Sequence, residues 1–175
     1  SKILEVLGLG SGGFALCTLH RAENVDDRDC LAAILRGLGE VSESLPIILP
    51  LHPRTNGRLT EFGLRETVPP TIRFVDPVGF LDMLRLEAEA ALILTDSGGM
   101  QKEAFFQRTP CVTIRTETEW TELLPGGHNR LACPGVDSIS EKAQEALHSD
   151  PAWDLPLYGD GHSSETIAQA IIDHR

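Results

Sequence analysis

The chain is predicted to be one α/β domain, a doubly wound parallel sheet of the Rossmann-like kind. Three observations lead there. Short apolar, β-rich runs alternate with segments that carry a helical stripe, prolines break the chain just before several of the runs, and polar residues collect immediately after them. Strand alternating with helix implies parallel βαβ crossovers with helices on both faces of the sheet. A chain of 175 residues buries enough core to stand without disulfides or metal.

The elements follow in order. The opening SKILEVLGLGSGG starts with a short amphipathic segment (Ile3, Leu4, Leu7) and runs into a Gly/Ser stretch, so residues 1–13 are read as a connector and residues 14–175 as the domain. The first strand is FALCTLH, Phe14 to His20. Leu31, Ile34, Leu35, Leu38 and Val41 then share one face, with Asp26 or Asp27 as the cap that starts the helix. Strand two is IILPLH (Ile47 to His52) after Pro46, and strand three is IRFVD (Ile72 to Asp76) after Pro69 and Pro70. The stripe Phe80, Leu81, Leu84 marks a helix before ALILTD (Ala91 to Asp96). Pro110 precedes CVTIR (Cys111 to Arg115), RLACP near Arg130 supplies a sixth strand, and Ile167, Ala170 and Ile171 mark the last helix.

Composition removes several function classes. The net charge of −11 opposes a general nucleic-acid footprint, although a helix N-terminus with one or two local cations still holds a small anion. Cys17, Cys30, Cys111 and Cys133 are scattered, and are read as small reduced core residues, which suits the cytoplasm. No Cys or His pair has the partner pair a structural zinc needs, so no metal or other cofactor is expected. There is no membrane span and no signal peptide pattern.

In an open parallel sheet, ligands bind outside the carboxyl ends of the strands, where strand order reverses. The residues at those ends are His20 with Arg21, His52 with Pro53, Asp76, Asp96 with Ser97, Gly98 and Gly99, and Arg115. With the order 3-2-1-4-5-6, His20 faces the Ser-Gly-Gly stretch across the crevice. Two consecutive glycines at the start of a helix need a reason, since each weakens a helix by roughly 1 kcal/mol relative to alanine. One reason is a tight turn capped by Ser97 or Asp96; the other is close approach of the first helical N–H groups to a phosphate. Glu103, one turn further on, is placed to reach sugar hydroxyls. A histidine at position 20 either is satisfied by local hydrogen bonds or donates to a phosphate as a proton donor. Arg115 is read as a partner of Glu117 or Glu119 or of a ligand, and Trp120 as a packing residue or a lid. His128, His148, His162 and His174 are assigned to the surface, and ETETEWTE to a solvated segment without chemistry of its own.

The motifs TLHRAENVDD, LPLHPRTN, LTDSGGMQKEA, RTETEW and YGDGHSSETIA, in this order, resemble the C-terminal half of the non-hydrolysing UDP-N-acetylglucosamine 2-epimerases. The resemblance implies a GT-B enzyme of two Rossmann-like domains, with the nucleotide sugar in the cleft between them and this chain as the second. It implies inversion at C2 by elimination of UDP to a 2-acetamidoglucal and re-addition. By motif, His20 resembles the active-site histidine, Ser97, Gly98 and Gly99 the diphosphate loop, and Glu103 the carboxylate on the ribose. Arg21 and His52 resemble residues of an allosteric site for a second UDP-sugar. Many members carry Arg where this chain has Trp120, and TEW versions occur in enzymes for diacetamido-uronic sugars. Because the Asp and Glu residues that move the C2 proton lie in the family's first domain, this chain alone is expected to bind UDP weakly without turnover. The expected partners are a UDP-sugar and the missing first domain, in a homodimeric parent. The alternatives are the donor domain of a GT-B glycosyltransferase and a stand-alone UDP-sugar-binding module.

Overall fold

The computed structural model describes residues 1–174. Six strands, β1 (Ala15–Thr18), β2 (Ile47–Pro50), β3 (Ile72–Val75), β4 (Leu92–Thr95), β5 (Cys111–Thr113) and β6 (Asn129–Leu131), form one sheet in the order β3-β2-β1-β4-β5-β6. All pairs are parallel, and Leu16 of β1 lies between Ile48 of β2 and Ile93 of β4. This is the doubly wound class expected from the alternation of elements. Order reverses between β1 and β4, so Thr18 and Thr95 end side by side, joined by a hydroxyl hydrogen bond of 2.7 Å.

The helices are α1 (Ile3–Leu7), α2 (Ala22–Val25), α3 (Arg28–Ser42), α4 (Pro53–Glu61), α5 (Phe80–Glu89), α6 (Gly98–Gln107), α7 (Ile139–Leu147) and α8 (Ser163–Asp173). Strand residues alternate between the two faces of the sheet. Ala15, Cys17, Ile47, Leu49, Leu92, Leu94 and Val112 pack against α3, α4 and α7. Leu16, Ile48, Ile93 and Cys111 pack against α1, α5 and α6. The stripe predicted for α3 is the buried one, and its cap is Asp27, which accepts from the Cys30 N–H at 2.7 Å. Gly37 has a packing reason to be glycine: a Cβ there would stand 3.0 Å from Ile139, so a larger residue would push α7 off α3.

Three expectations need correction, and the amphipathic opening segment does not. Phe80 and Leu81 are exposed, and α5 instead buries Leu86 and Glu87, because the first turn of this helix lies at the rim beyond the strand ends. The stripe of α8 exists as a helix, yet it buries nothing among the described residues. Cys17 and Cys111 are core residues, whereas Cys30 and Cys133 are half-buried. The opening segment holds α1, whose Ile3, Leu4 and Leu7 pack onto the domain. No helix of the described residues is long and apolar enough to cross a membrane.

Candidate functional site

β1 is shorter than its apolar run because the backbone N–H of His20 leaves the ladder. It bonds to the Asp96 carboxylate at the end of β4, 3.0 Å from Oδ2. The same oxygen accepts from the Arg21 N–H at 2.9 Å and from Asn24 Nδ2 at 3.2 Å, while Arg21 Nε donates to the Asp96 carbonyl at 2.8 Å. Asp96 is fully buried, and its Oδ1 holds His20 Nδ1 at 3.1 Å. One carboxylate at the switch point therefore gathers the HRxxN sequence that follows β1. Burial alone would raise the Asp96 pKa, but the His20 side chain and the two backbone donors outweigh it and the net shift is downward. The His20 pKa is raised, chiefly by its hydrogen bond to Asp96. With Nδ1 committed, Nε2 is the ring nitrogen left to serve a ligand, and the imidazole carries its proton above the ordinary histidine range.

Ser97 is the N-cap of α6, its Oγ accepting from the Met100 N–H. Neither Gly98 nor Gly99 has a positive φ, which sets aside a turn with unusual dihedrals as the reason for the pair. A Cβ on Gly99 would meet nothing closer than Ser97 Oγ at 4.0 Å. Packing within the protein does not demand glycine at position 99. The N–H groups of Gly98 and Gly99 have no protein acceptor among the described residues, and they point from the positive end of the α6 dipole.

His52 caps α4, its Nδ1 accepting from the Arg54 N–H at 3.2 Å, so its Nε2 carries the proton outward. Its ring centre lies 5.7 Å from that of His20. The Thr55 hydroxyl donates to the Leu19 carbonyl, and Asp26 pairs with both Arg54 and Arg58, which fixes α4 against the end of β1. His20, His52 and Ser97 line a cleft of about 200 Å³ whose apolar wall includes Val78, Met83 and Met100. Of the predicted site residues, His20, His52 and Ser97 thus meet at one place, while Gly98 faces Glu119, Arg21 and Trp120. Arg21 is turned away toward Asp96 and Glu119, its Nη2 3.5 Å from Glu119 Oε1. Glu103 is half-buried further along α6 and does not line this cleft.

The acidic segment has a structural task after all. Arg115 is only 7% exposed and forks onto Glu119 at 2.7 and 3.0 Å, which holds the Glu119 carboxyl down at about 2. Trp120 packs over the start of α6: Nε1 donates to the Gly98 carbonyl at 2.8 Å, and the Lys102 ammonium sits 3.5 Å from its ring centre. Lys102 also faces the Tyr158 ring, so the YGDG segment closes this stack over the first turns of α6. Trp120→Phe keeps the ring and loses the hydrogen bond. It is expected to loosen the glycine loop and speed amide hydrogen exchange at its first turn about fivefold, the worth of roughly 1 kcal/mol. His128, assigned to the surface, is buried between Phe105 and Trp153, with Nε2 3.1 Å from the Ala152 carbonyl. It belongs to the aromatic cluster that secures the segment after α7. His148, His162 and His174 are exposed as expected.

Asp96, Asn24 and Trp120 organise the site without having been assigned to it from sequence. The available signal was an acid at the end of the fourth strand facing a His-Arg pair at the end of the first.

Comparison with known proteins shows the family. The family model described as UDP-N-acetylglucosamine 2-epimerase matches residues 1–172. The chain is 47% identical over 167 residues to a UDP-2,3-diacetamido-2,3-dideoxy-D-glucuronate 2-epimerase of Pseudomonas aeruginosa, covering 94% of the chain and 46% of that protein. It is 40% identical over 162 residues to the UDP-N-acetylglucosamine 2-epimerase of Methanocaldococcus jannaschii, covering 90% and 44%. The crystal structure of the M. jannaschii enzyme in complex with UDP-GlcNAc and UDP superposes with a TM-score of 0.86 at 36% identity, over 98% of this chain and 48% of that one. The chain spans about half the length of these relatives, as one Rossmann-like half of a GT-B enzyme does. With a family match over nearly every residue and the fold and site motifs in place, the chain belongs to the UDP-N-acetylglucosamine 2-epimerase family.

Proposed function

We propose that this domain is the nucleotide-binding half of a UDP-sugar 2-epimerase that interconverts UDP-N-acetylglucosamine and UDP-N-acetylmannosamine. The unpartnered N–H groups of Gly98 and Gly99, across the switch point from His20, carry the proposal. In this reading they hold the diphosphate, with the Ser97 hydroxyl beside them, and Glu103 accepts from the ribose. Arg21 and His52 belong to a second, regulatory UDP-sugar site, and residues 1–13 lead in from the other half of the enzyme.

The chemistry follows from where charge develops. Elimination breaks the C1–O bond and leaves negative charge on the departing UDP. Oriented N–H dipoles and an imidazolium aimed at that charge stabilise the transition state more than the ground state. Asp96 raises the proton affinity of His20 and, by holding Nδ1, leaves Nε2 as the nitrogen that donates to the departing group. Moving the C2 proton needs an acid and a base on opposite faces of the sugar, and one wall of the cleft offers only one side. The chain by itself therefore binds UDP without turning over. Incubation with UDP-N-acetylglucosamine, followed by NMR, is expected to show no UDP-N-acetylmannosamine; steady turnover would refute this.

In the two-domain parent, His20→Ala is expected to lower kcat by about 100-fold or more while UDP affinity changes less than about fivefold. Loss of affinity with kcat preserved would make His20 a binding residue only. The second reading is epimerisation of a diacetamido-uronic UDP-sugar, favoured by the 47% identity to an enzyme of that name. Parallel titrations with UDP-N-acetylglucosamine and the diacetamido-uronic analogue distinguish the two, the preferred sugar binding more tightly than UDP alone.

A further inference from the structure

A peptide plane between two glycines has little of its own to hold it. Neither Gly98 nor Gly99 carries a Cβ, so the two bonds on which that plane turns are freer than between any other pair of residues. The plane itself is rigid and trans, with the carbonyl of Gly98 and the N–H of Gly99 on opposite sides of it. Whatever fixes that carbonyl therefore aims that amide. The fixing group comes from outside α6, since Trp120 Nε1 donates to the Gly98 carbonyl at 2.8 Å. The same hydrogen bond polarises the plane and makes the Gly99 N–H a stronger donor toward an acceptor on its far side. The indole is held in turn. The Lys102 ammonium lies 3.5 Å from the centre of the Trp120 ring and 4.6 Å from that of Tyr158, and the two rings meet edge to face at 6.4 Å. Lys102 stands one turn along α6 from Gly98, so the helix grips the indole at two points, the carbonyl and the cation. The main chain of Trp120 has its own anchor: its N–H bonds to the Thr118 hydroxyl at 3.0 Å, and that hydroxyl donates to Gln101 of α6.

We propose that Lys102 is a positioning residue for the diphosphate loop: clamped between Trp120 and Tyr158, its ammonium holds the indole at the angle from which Nε1 pins the Gly98 carbonyl, and so keeps the Gly99 N–H aimed at the phosphate. The inference rests on the reading of the glycine stretch as the diphosphate loop. Without the cation the indole swings on its side-chain bonds, the peptide between the glycines rocks with it, and the amide spends part of its time turned elsewhere. A site that is competent for only a fraction of the time binds with an affinity reduced by that fraction.

Hydrogen exchange resolved by NMR, together with UDP titration of the chain, tests it. Lys102→Met keeps an unbranched side chain against the rings and removes the charge. Lys102 is only half-buried and the Trp120 main chain stays anchored through Thr118, so the variant keeps its fold. It is expected to speed exchange of the Trp120 indole N–H and the Gly99 amide about fivefold and to raise the Kd for UDP by a similar factor. Lys102→Arg retains a cation that stacks on aromatic rings, and is expected to stay within about twofold of the unmodified chain in both measurements. Combination with Trp120→Phe separates positioning from mere support. If Lys102 acts through the indole N–H, then Lys102→Met raises the Kd of the Trp120→Phe chain by less than about twofold. A full multiplication of the two effects, or exchange and Kd in Lys102→Met equal to those of the unmodified chain, would overturn the inference and leave the diphosphate loop standing. Exchange rates that move as expected while Gly98→Val binds UDP as well as the unmodified chain, or no UDP binding at all, would instead overturn the reading of the loop and this inference with it.

Discussion

Asp96→Ala is expected to destabilise the domain by about 3–5 kcal/mol, enough to bring a domain of ordinary stability close to unfolding at 37 °C. The substitution removes the acceptor for two backbone N–H groups, an asparagine amide and an imidazole at once, all at a fully buried position. Each orphaned donor bears its own desolvation cost. Asp96→Asn is the milder companion variant, retaining one acceptor oxygen and losing the charge. In it the His20 pKa should fall back toward 6.5 or below, because the interaction that raises it is the hydrogen bond to the carboxylate. The pH dependence has a definite sign on each side. The folded His20 pKa is raised, so its contribution is full below 6.5 and is lost as pH rises through the folded value. The folded Asp96 pKa is lowered, so its contribution is present above 3.8 and is lost as pH falls through the folded value. The pair stabilises most between those limits. Urea denaturation across pH 3 to 9, with imidazole NMR titration, measures both; a His20 pKa unmoved in Asp96→Asn would show that the carboxylate does not set it.

Gly98→Val should cost about 100-fold in UDP affinity while lowering stability by no more than about 1.5 kcal/mol. A Cβ at this position falls in ordinary contact range, 3.6 Å from Glu119 Oε2, 3.8 Å from Arg21 Nη2 and 3.9 Å from Trp120 Nε1. The fold tolerates the first carbon, and the position is the first turn of a helix at the rim, where little core is disturbed. The two further methyl groups of valine stand where a diphosphate must come within hydrogen-bond distance of the amides. Losing two charge-assisted bonds of roughly 1.5 kcal/mol each gives the predicted factor. Equal UDP affinity in the variant and the unmodified chain would reduce the glycine pair to a helix start.

The alternation of apolar runs with helical stripes carried the fold through to the strand order. The polar residues at the strand ends carried His20, His52 and Ser97 to one cleft. What could not be read from sequence was the direction in which ambiguous side chains turn. Asp96 and Ser97 were equal candidates for capping α6; the choice was made by the backbone donors of residues 20 and 21, which arrive from a strand some seventy-five positions earlier. Glu117, Glu119 and a ligand were equal candidates to pair with Arg115; Glu119 does so, and Arg115 is buried at the end of β5. Phe80 and Leu81 have the spacing of a buried face, but periodicity says nothing about how far a helix overshoots the strands it covers. The same limit applies to α8, whose Ile167, Ile171 and Ile172 stay exposed.

The carboxylate that joins β1 to β4 couples two motions that would otherwise be independent. An imidazole and a pair of amides suspended from the same buried anchor travel as a rigid body, and their relative geometry is settled when the chain folds, before any nucleotide arrives. In the proposed two-domain enzyme, discrimination among sugars that share UDP would then fall to the opposing wall, and one unaltered nucleotide grip would serve enzymes of different sugar preference.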